Sequence, residues 1–505
     1  MKTRCYLWVL LVMSFLAGHA QQDETVSFSG EGTVESPYLI SSADDLVELS
    51  RATNELGMEF AGQFFLMTDD IDLSAVTDFA PLSQNAKHPF NGMFEGDGHS
   101  IIGWTLQNAK QCGFVTWLGA DGLLSNVVID SSCKFLQVQE FAPLVYCAYG
   151  TINHCVNRAA IHGTGMQAGI VYVLDKGTVE SCFNEGDIDG GAVGYAAGVV
   201  GVNFGTVTRS ENVARVRAAQ GGDVGGIVGE NHGLVSNCVS AGGLTGYGAV
   251  GGLVAVGQAG CQIDFSLCTA VLKNYVDYSK EGAVIGYSSG EHMAIHEVYY
   301  DYQLSIFNKE GSKSIWPKTT SELINDPWSG SRAWTQSKGE YPRIYRNAQY
   351  PGSILAAKPV IFADGDTRCH VTQPAQLAEA EGLEWSLQGG QGVFEIDGST
   401  LLVHPADTYT AAILRATYKG LTKEIVISNM GADFDESIPE NWWTIKSSSD
   451  FDGDKKTDVS DLNRLINAVL ELEGRETEYG DLDVLIDGKV DVEDVNYVVN
   501  RILGF

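Results

Sequence analysis

The sequence predicts a mainly β fold centred on a right-handed parallel β-helix, and three observations predict it. First, one pattern recurs through the middle of the chain: apolar-Gly-apolar, a turn, then a short strand bearing Ser-Cys or Asn-Cys. Gly169-Ile170-Val171 leads to Ser181-Cys182, Gly226-Ile227-Val228-Gly229 to Asn237-Cys238, and Gly252-Leu253-Val254 to Leu267-Cys268. Gly198-Val199-Val200-Gly201 leads to Arg209-Ser210, and weaker copies begin near Gly113, Pro143 and Gly282. Second, the period is roughly 26–30 residues, the range of solenoid repeats. Third, each unit holds short β runs cut by turn residues, with no helical spacing of apolar positions. The 58 Gly against 12 Pro suit tight turns. Coils stacked about 4.8 Å apart would align equivalent side chains in ladders, and stacking supplies a core that one unit cannot make alone.

The chain opens with a basic Lys2 and Arg4, an apolar run from Tyr6 to Leu16, and small Ala17, Gly18 and Ala20. This predicts a signal peptide over 1–20 and a secreted chain, extracellular or on the cell surface. His19 stands where a lipoprotein would need Cys. No later stretch is long and apolar enough to predict a transmembrane segment in the mature chain. Residues 21–107 read as an N-terminal cap of the solenoid. In it Ser42 and Asp45 form a capping pair ahead of Leu46, Leu49 and Leu56, followed by the strand Phe65-Leu66-Met67. Residues 108–305 carry the repeats. Residues 306–351, with Trp328, Trp334 and Tyr341-Pro342-Arg343-Ile344, read as a C-terminal cap. Caps blunt the open edges of a solenoid.

Ten Cys are present, and Cys5 lies in the expected leader. Cys155, Cys182, Cys238 and Cys268 read as one repeat position, with Ser210 between the second and third. Small buried residues at one position predict an interior packing ladder. Metal binding or disulfides are the alternatives, but no Cys/His pair shows zinc spacing. Copies such as Val224-Gly225-Gly226-Ile227-Val228-Gly229-Glu230-Asn231 resemble the GLUG-motif repeats of bacterial exported proteins. The resemblance covers about Cys112 to Tyr302, extends to the flanking caps, and implies fold more than activity.

Beyond the repeats, residues 352–430 carry short alternating runs: Val360-Ile361-Phe362, Leu383 to Leu387, Val393 to Ile396, Leu401 to Val403, Ala412 to Tyr418 and Lys423 to Ile427. These predict a small β-sandwich, similar to a bacterial Ig-like spacer. Trp385 reads as core. An acidic linker follows over 431–449.

At 450–505, Asp450, Asp452, Asp454, Asp458 and Asp461 stand at positions 1, 3, 5, 9 and 12 of a loop, with the Lys456 carbonyl at position 7. That is the oxygen-donor spacing of a calcium loop. A second loop would use Asp483, Asp487, the Lys489 carbonyl, Asp491 and Asp494, although Leu485 cannot ligate at its third position. The amphipathic runs after Asp461 and Asp494 match each other. This duplicated loop-helix resembles a type I dockerin, a small α-helical EF-hand-like module. The resemblance implies Ca2+-dependent docking to a cohesin-type protein partner.

The balance of 64 Asp+Glu against 32 Lys+Arg argues against nucleic acid as a partner. Parallel β-helices can carry polysaccharide chemistry, which needs clustered carboxylates on neighbouring coils. Asp175, Asp187, Asp189 and Asp223, with Arg158, Arg209, Arg215 and Arg217, read instead as scattered turn residues, and no catalytic residue is singled out. The sequence thus predicts a non-catalytic modular surface protein for adhesion or presentation, with a possible glycan or host-surface ligand. A dockerin-bearing polysaccharide lyase or O-glycosyl hydrolase is the alternative.

Overall fold

One apolar ladder sets the architecture. Phe65, Phe94, Leu124, Ile152, Val179, Val207, Val235 and Ile263 stand in register on successive parallel strands, all buried. Alternation along each short strand turns one side chain inward per coil, and each Val or Ile so buried contributes roughly 1.5–3 kcal/mol. The computed structural model describes residues 26–219, 221–274, 280–289, 293–305, 314–328, 332–368, 370–407, 410–429 and 431, with isolated residues after 458. The leader, nearly all of the linker, and every expected calcium ligand lie outside the described residues.

Each coil visits four parallel sheets. Thr151–Asn153 lies in the first, Val156–Asn157 in the second, Ile161–Gly163 and Gln167–Ala168 in two rows of the third, and Val171–Leu174 in the fourth. The first and second sheets each have ten strands among the described residues, the third thirteen and the fourth seven. The first sheet already begins at Tyr38–Ile40, so residues assigned to the N-terminal cap contribute coils of their own. The helix Ala43–Asn54 forms where the capping pair predicts it. Ser42 accepts from the Asp45 amide, and Leu46 and Leu49 are buried, while Leu56 falls beyond its end.

The corner between the first and second sheets is a column of left-handed residues. His154, Ser181, Arg209, Asn237, Phe265 and Glu297 have φ of 52, 55, 52, 52, 45 and 51°. Such backbone is costly for side-chain-bearing residues. It is offset by stacking, since each amide donates to the next coil: His154 to the Glu180 carbonyl, Ser181 to Thr208, Arg209 to Ser236 and Asn237 to Asp264.

This column corrects the cysteine register. Cys155, Cys182, Ser210 and Cys238 each follow a corner residue and are buried and free, as the ladder reading expects. The next member is Ser266, whose hydroxyl accepts from the Cys238 amide at 3.1 Å. Cys268 lies two residues further on. It pairs with Ser240 and Tyr300, in line with Asn157, Asn184 and Asn212. The Asn members of that second column are hydrogen-bonded to one another. Asn157 Nδ2 donates to Asn184 Oδ1 at 2.9 Å, and Asn184 Nδ2 to Asn212 Oδ1 at 2.8 Å.

After Ile315–Lys318 completes the second sheet, the chain does not stop as a terminal lid. It turns back along the outside of that sheet. Trp334 Nε1 donates to Asn237 Oδ1 at 3.1 Å, Asn347 Nδ2 to the Arg209 carbonyl at 3.1 Å, and Tyr350 OH to the His154 carbonyl at 3.2 Å. These are corner residues of successively earlier coils, so the segment is a strap. It covers an outward row of Val128, Val156, Phe183, Val239 and Leu267, which share one apolar cluster with Tyr341 and Ile344.

The expected runs of 352–430 do form strands. Val360–Ile361, Ala375–Leu377, Thr400–Val403 and Phe394–Asp397 make one antiparallel sheet, and Leu383–Gly389, Thr410–Tyr418 and Leu421–Asn429 another. Their core joins the same outer cluster. The unit is therefore docked side-on to the solenoid, where a spacer would stand free. A buried ion pair, Arg368 to Glu281 at 2.8 Å, crosses the junction. Trp385 is half-buried with Nε1 donating to the Ala378 carbonyl, in keeping with a core role.

Candidate functional site

Among the described residues, no strap covers the corner between the fourth and first sheets. Tyr149, Asp175, Phe204, His232, Gln258 and Ser289 stand there one above another, because each amide donates to the preceding coil in the same way. Phe204 is 47 % exposed and Tyr149 39 %, although neither position needs an aromatic for the core. The Phe204 ring stacks on the His232 imidazole, centroids 4.3 Å apart. Flat rings lying in line along a coil axis make a platform, and exposed apolar groups gathered in one stripe mark binding surface.

Glu230 organises the polar side of the stripe. It sits on Val228–Asn231 of the fourth sheet. Its Oε2 accepts from Tyr195 OH at 2.6 Å and its Oε1 from Gln258 Nε2 at 2.6 Å, with His232 Nε2 2.9 Å away. Burial first, and then this carboxylate, push the Tyr195 phenol well above its ordinary range. Both oxygens of Glu230 are thus engaged, and Tyr195 stays protonated at neutral pH. Beside the cluster, Gly201 and Gly229 follow Tyr172 along the fourth sheet and keep its outer surface flat. A Cβ on Gly229 would lie 2.6 Å from Tyr195 Cβ.

Of the charged residues seen in the sequence, Asp175 joins the corner stripe. Asp223 is raised by burial and accepts from the Ala249 amide. Arg158 pairs with Glu185 at 2.9 Å and Arg209 with Glu180 at 2.5 Å. Asp189 corrects the reading of scattered turns. It stands in strand register between His162 and Arg217, with His162 Nδ1 3.0 Å from its carboxylate. Sequence reasoning missed Glu230, Tyr195 and the aromatic stripe. The one available signal was that Phe204 and His232 sit 28 positions apart at matching places in two repeats. Among the described residues no group of three or more His, Cys, Asp or Glu could hold a metal ion.

The fold and this surface define a parallel β-solenoid protein with a side-docked β unit and an exposed aromatic–carboxylate corner. No protein-family model matches the chain. It is 32 % identical over 130 residues to a protein of Evansella cellulosilytica named as a Gly-rich membrane protein, covering 24 % of this chain and 14 % of that one. It is 27 % identical over 157 residues to the Halomucin of Haloquadratum walsbyi, covering 29 % of this chain and 2 % of that one. The chain therefore spans a small part of the curated relatives it matches. A solved structure from Bacteroides ovatus named for immunoglobulin A1 protease is 20 % identical, covering 63 % of this chain and 94 % of its own, with a TM-score of 0.41. No helix among the described residues is long and apolar enough to cross a membrane.

Proposed function

We propose that this is an exported, modular glycan-binding protein. The solenoid corner holds a saccharide chain, and a C-terminal dockerin-like module anchors the protein to a cohesin-type partner. The observation that carries the glycan reading is the corner column in which Tyr149 and Phe204 are exposed and the half-buried His232 stacks on Phe204, beside the Glu230 cluster. A sugar lays its C–H face on an aromatic ring and gives its hydroxyls to carboxylate and amide groups. The engagement of both Glu230 oxygens supports binding over catalysis, because neither is poised as a nucleophile or base. Tyr195, held protonated, is likewise no lyase base. Hydrolysis is a second reading. It is favoured by one observation, the burial-raised Asp223 close enough to Glu230 for the two charges to interact. A panel of neutral oligosaccharides, with reducing-sugar and unsaturated-product assays, separates the two. Saturable binding without product is expected, whereas product formation with Asp223→Asn inactive would establish the hydrolase.

The anchoring reading rests on the spacing of Asp450, Asp452, Asp454, Asp458 and Asp461 around the Lys456 carbonyl, and on the second loop Asp483, Asp487, Lys489, Asp491 and Asp494. Carboxylates crowded on one short loop repel until a cation joins them, so folding of the module and Ca2+ binding are coupled. Chelator should lower helix content in the full chain, and Asp450→Ala with Asp454→Ala should remove the calcium heat in calorimetry. Unchanged heat would exclude the first loop. Export through the leader at 1–20 and the Ig-like, GLUG-like descent of the parts belong to the same proposal.

A further inference from the structure

A small cavity lies where the strap begins, at the corner between the first and second sheets and away from the corner stripe. It encloses about 160 Å³. Phe265, Tyr299 and Trp328 wall it with rings, and Tyr299 meets Trp328 edge to face, centroids 4.8 Å apart. Phe265 is 39 % exposed and holds a left-handed corner place that Asn237 fills one coil earlier, so the fold does not require a ring there. The buried indole N–H of Trp328 has no acceptor among the described residues. Four charged groups complete the lining, Glu297, Glu322 and Asp326 against Lys318. Lys318 is held by its own neighbours, 3.5 Å from Glu322 and 3.4 Å from Asp326. Burial works against its ammonium, yet these two carboxylates raise it above the ordinary lysine value, so the local field favours a cation. Glu297 is exposed and has no ion pair or side-chain hydrogen bond among the described residues. Its charge reaches the cavity wall, because burial first and then Glu297 push the Tyr299 phenol up.

We infer that this cavity binds a methylated ammonium group of the choline type, its charge set against Glu297 and its methyl groups against the rings of Phe265, Tyr299 and Trp328. A cation beside aromatic faces gains about 0.5–2 kcal/mol. A primary ammonium brings three N–H donors. Glu322 and Asp326 are already taken by Lys318, so the one remaining carboxylate leaves such a donor set short of acceptors. A methylated ammonium needs only charge and apolar contact. The volume decides against a saccharide. A cavity of about 150 Å³ takes one benzene-sized group, which a trimethylammonium head matches, whereas pockets for larger ligands start near about 300 Å³. A hydroxyl on the ligand would also bring the Trp328 indole the kind of acceptor it lacks. The site is separate from the corner stripe, and the two fail independently.

The test is ligand-observed NMR of the whole chain titrated with choline, phosphocholine, ethanolamine and the uncharged tert-butyl isostere of choline. Choline should bind saturably and weaken as salt rises. Ethanolamine and the isostere should each bind about tenfold more weakly. Phosphocholine should bind less tightly than choline, since its phosphate meets the surplus carboxylates. Binding of either one upholds the ammonium claim, and their order tells a free molecule from a headgroup. Glu297→Gln should lower choline affinity about tenfold. Phe265→Asn, which places at the corner the residue type already found at Asn237, should lower it as well, and neither variant should lower the melting temperature. Phe204→Ala should leave choline binding unaltered. Ethanolamine binding as tightly as choline would overturn the methyl requirement, and the isostere doing so would overturn the charge requirement. Absence of choline binding, or undiminished affinity in both Glu297→Gln and Phe265→Asn, would overturn the site.

Discussion

Arg368→Ala should destabilise the protein by about 3–5 kcal/mol, because it strands the Glu281 carboxylate in a dry junction. Both side chains of the pair are 4 % exposed, and they lie 2.8 Å apart. Glu281 belongs to the strand Glu281–Gly282 of the third sheet, and Arg368 to the β unit. The junction is also tied by the Arg368 amide, which donates to the Gln303 carbonyl at 2.9 Å, and Ser428 Oγ, which donates to the Arg368 carbonyl at 3.1 Å, holds Arg368 in place within the β unit. Losing the guanidinium should therefore loosen the β unit before the solenoid. Urea unfolding followed by tryptophan fluorescence should show an early transition, since Trp385 lies in the detached part. Replacing both partners, as Arg368→Met with Glu281→Leu, should recover most of the loss, because an apolar pair leaves no charge unpaired. A single-variant midpoint equal to wild type would mean the junction is not dry.

The second large effect is on pH. Glu211 lies on the outer face of the second sheet beneath the strap, near Arg343, Asn347 and Glu185, and burial pushes its carboxyl up to about 8. Lys423 of the β unit is buried in the same region, and desolvation brings it down to about 8, against the pull of Asp301 and Glu211. Between the ordinary carboxylate range and pH 8 the native state holds a proton on Glu211 that the unfolded chain has lost. Stability must then fall as pH rises through that window, by at most about 1.4 kcal/mol per pH unit. Asp301, also raised by burial, acts in the same direction. From pH 8 to the ordinary lysine range the sign reverses, since native Lys423 has released a proton that the unfolded chain keeps. Melting temperatures should accordingly pass through a minimum near pH 8. Glu211→Gln should flatten the acid arm and Lys423→Met the alkaline arm. Parallel curves for wild type and Glu211→Gln would show that the carboxyl is not held neutral.

The parts of this architecture that were legible in the sequence are those written in local periodicity. Short runs such as Thr206-Val207-Thr208 alternate about one inward residue, and their spacing carries the coil length. The alignment of the last coil was not legible, because Cys268 looks like the next Cys238. The true marker is the left-handed corner, and there the sequence offers Phe265 in a place taken elsewhere by Asn, Ser, Arg, His or Glu. Identity of one residue type outweighed backbone conformation, and the register slipped by two. The side-on strap could have been suspected. Val127-Val128-Ile129 and Cys182-Phe183 are apolar on both faces, the mark of a strand covered on both sides. What covers them is set by contacts over more than a hundred residues, which no local pattern encodes. The pairing of Asp189 with His162 and Arg217, and the gathering of Tyr195, His232 and Gln258 on Glu230, were hidden for the same reason. Each depends on exact coil lengths between residues that are individually ordinary.

The corner stripe is the centre of the functional account, and its most direct test is calorimetric titration of the intact chain with the neutral oligosaccharide that binds best. Phe204→Ala together with Tyr149→Ala removes two exposed rings that the core does not use, so the fold and melting temperature should be unchanged. The account predicts that this double variant loses at least tenfold in affinity, and that Glu230→Gln, which keeps the shape and removes the charge, loses less. Undiminished affinity in the double variant, with wild-type folding, would contradict the assignment of the solenoid corner as the glycan-binding surface.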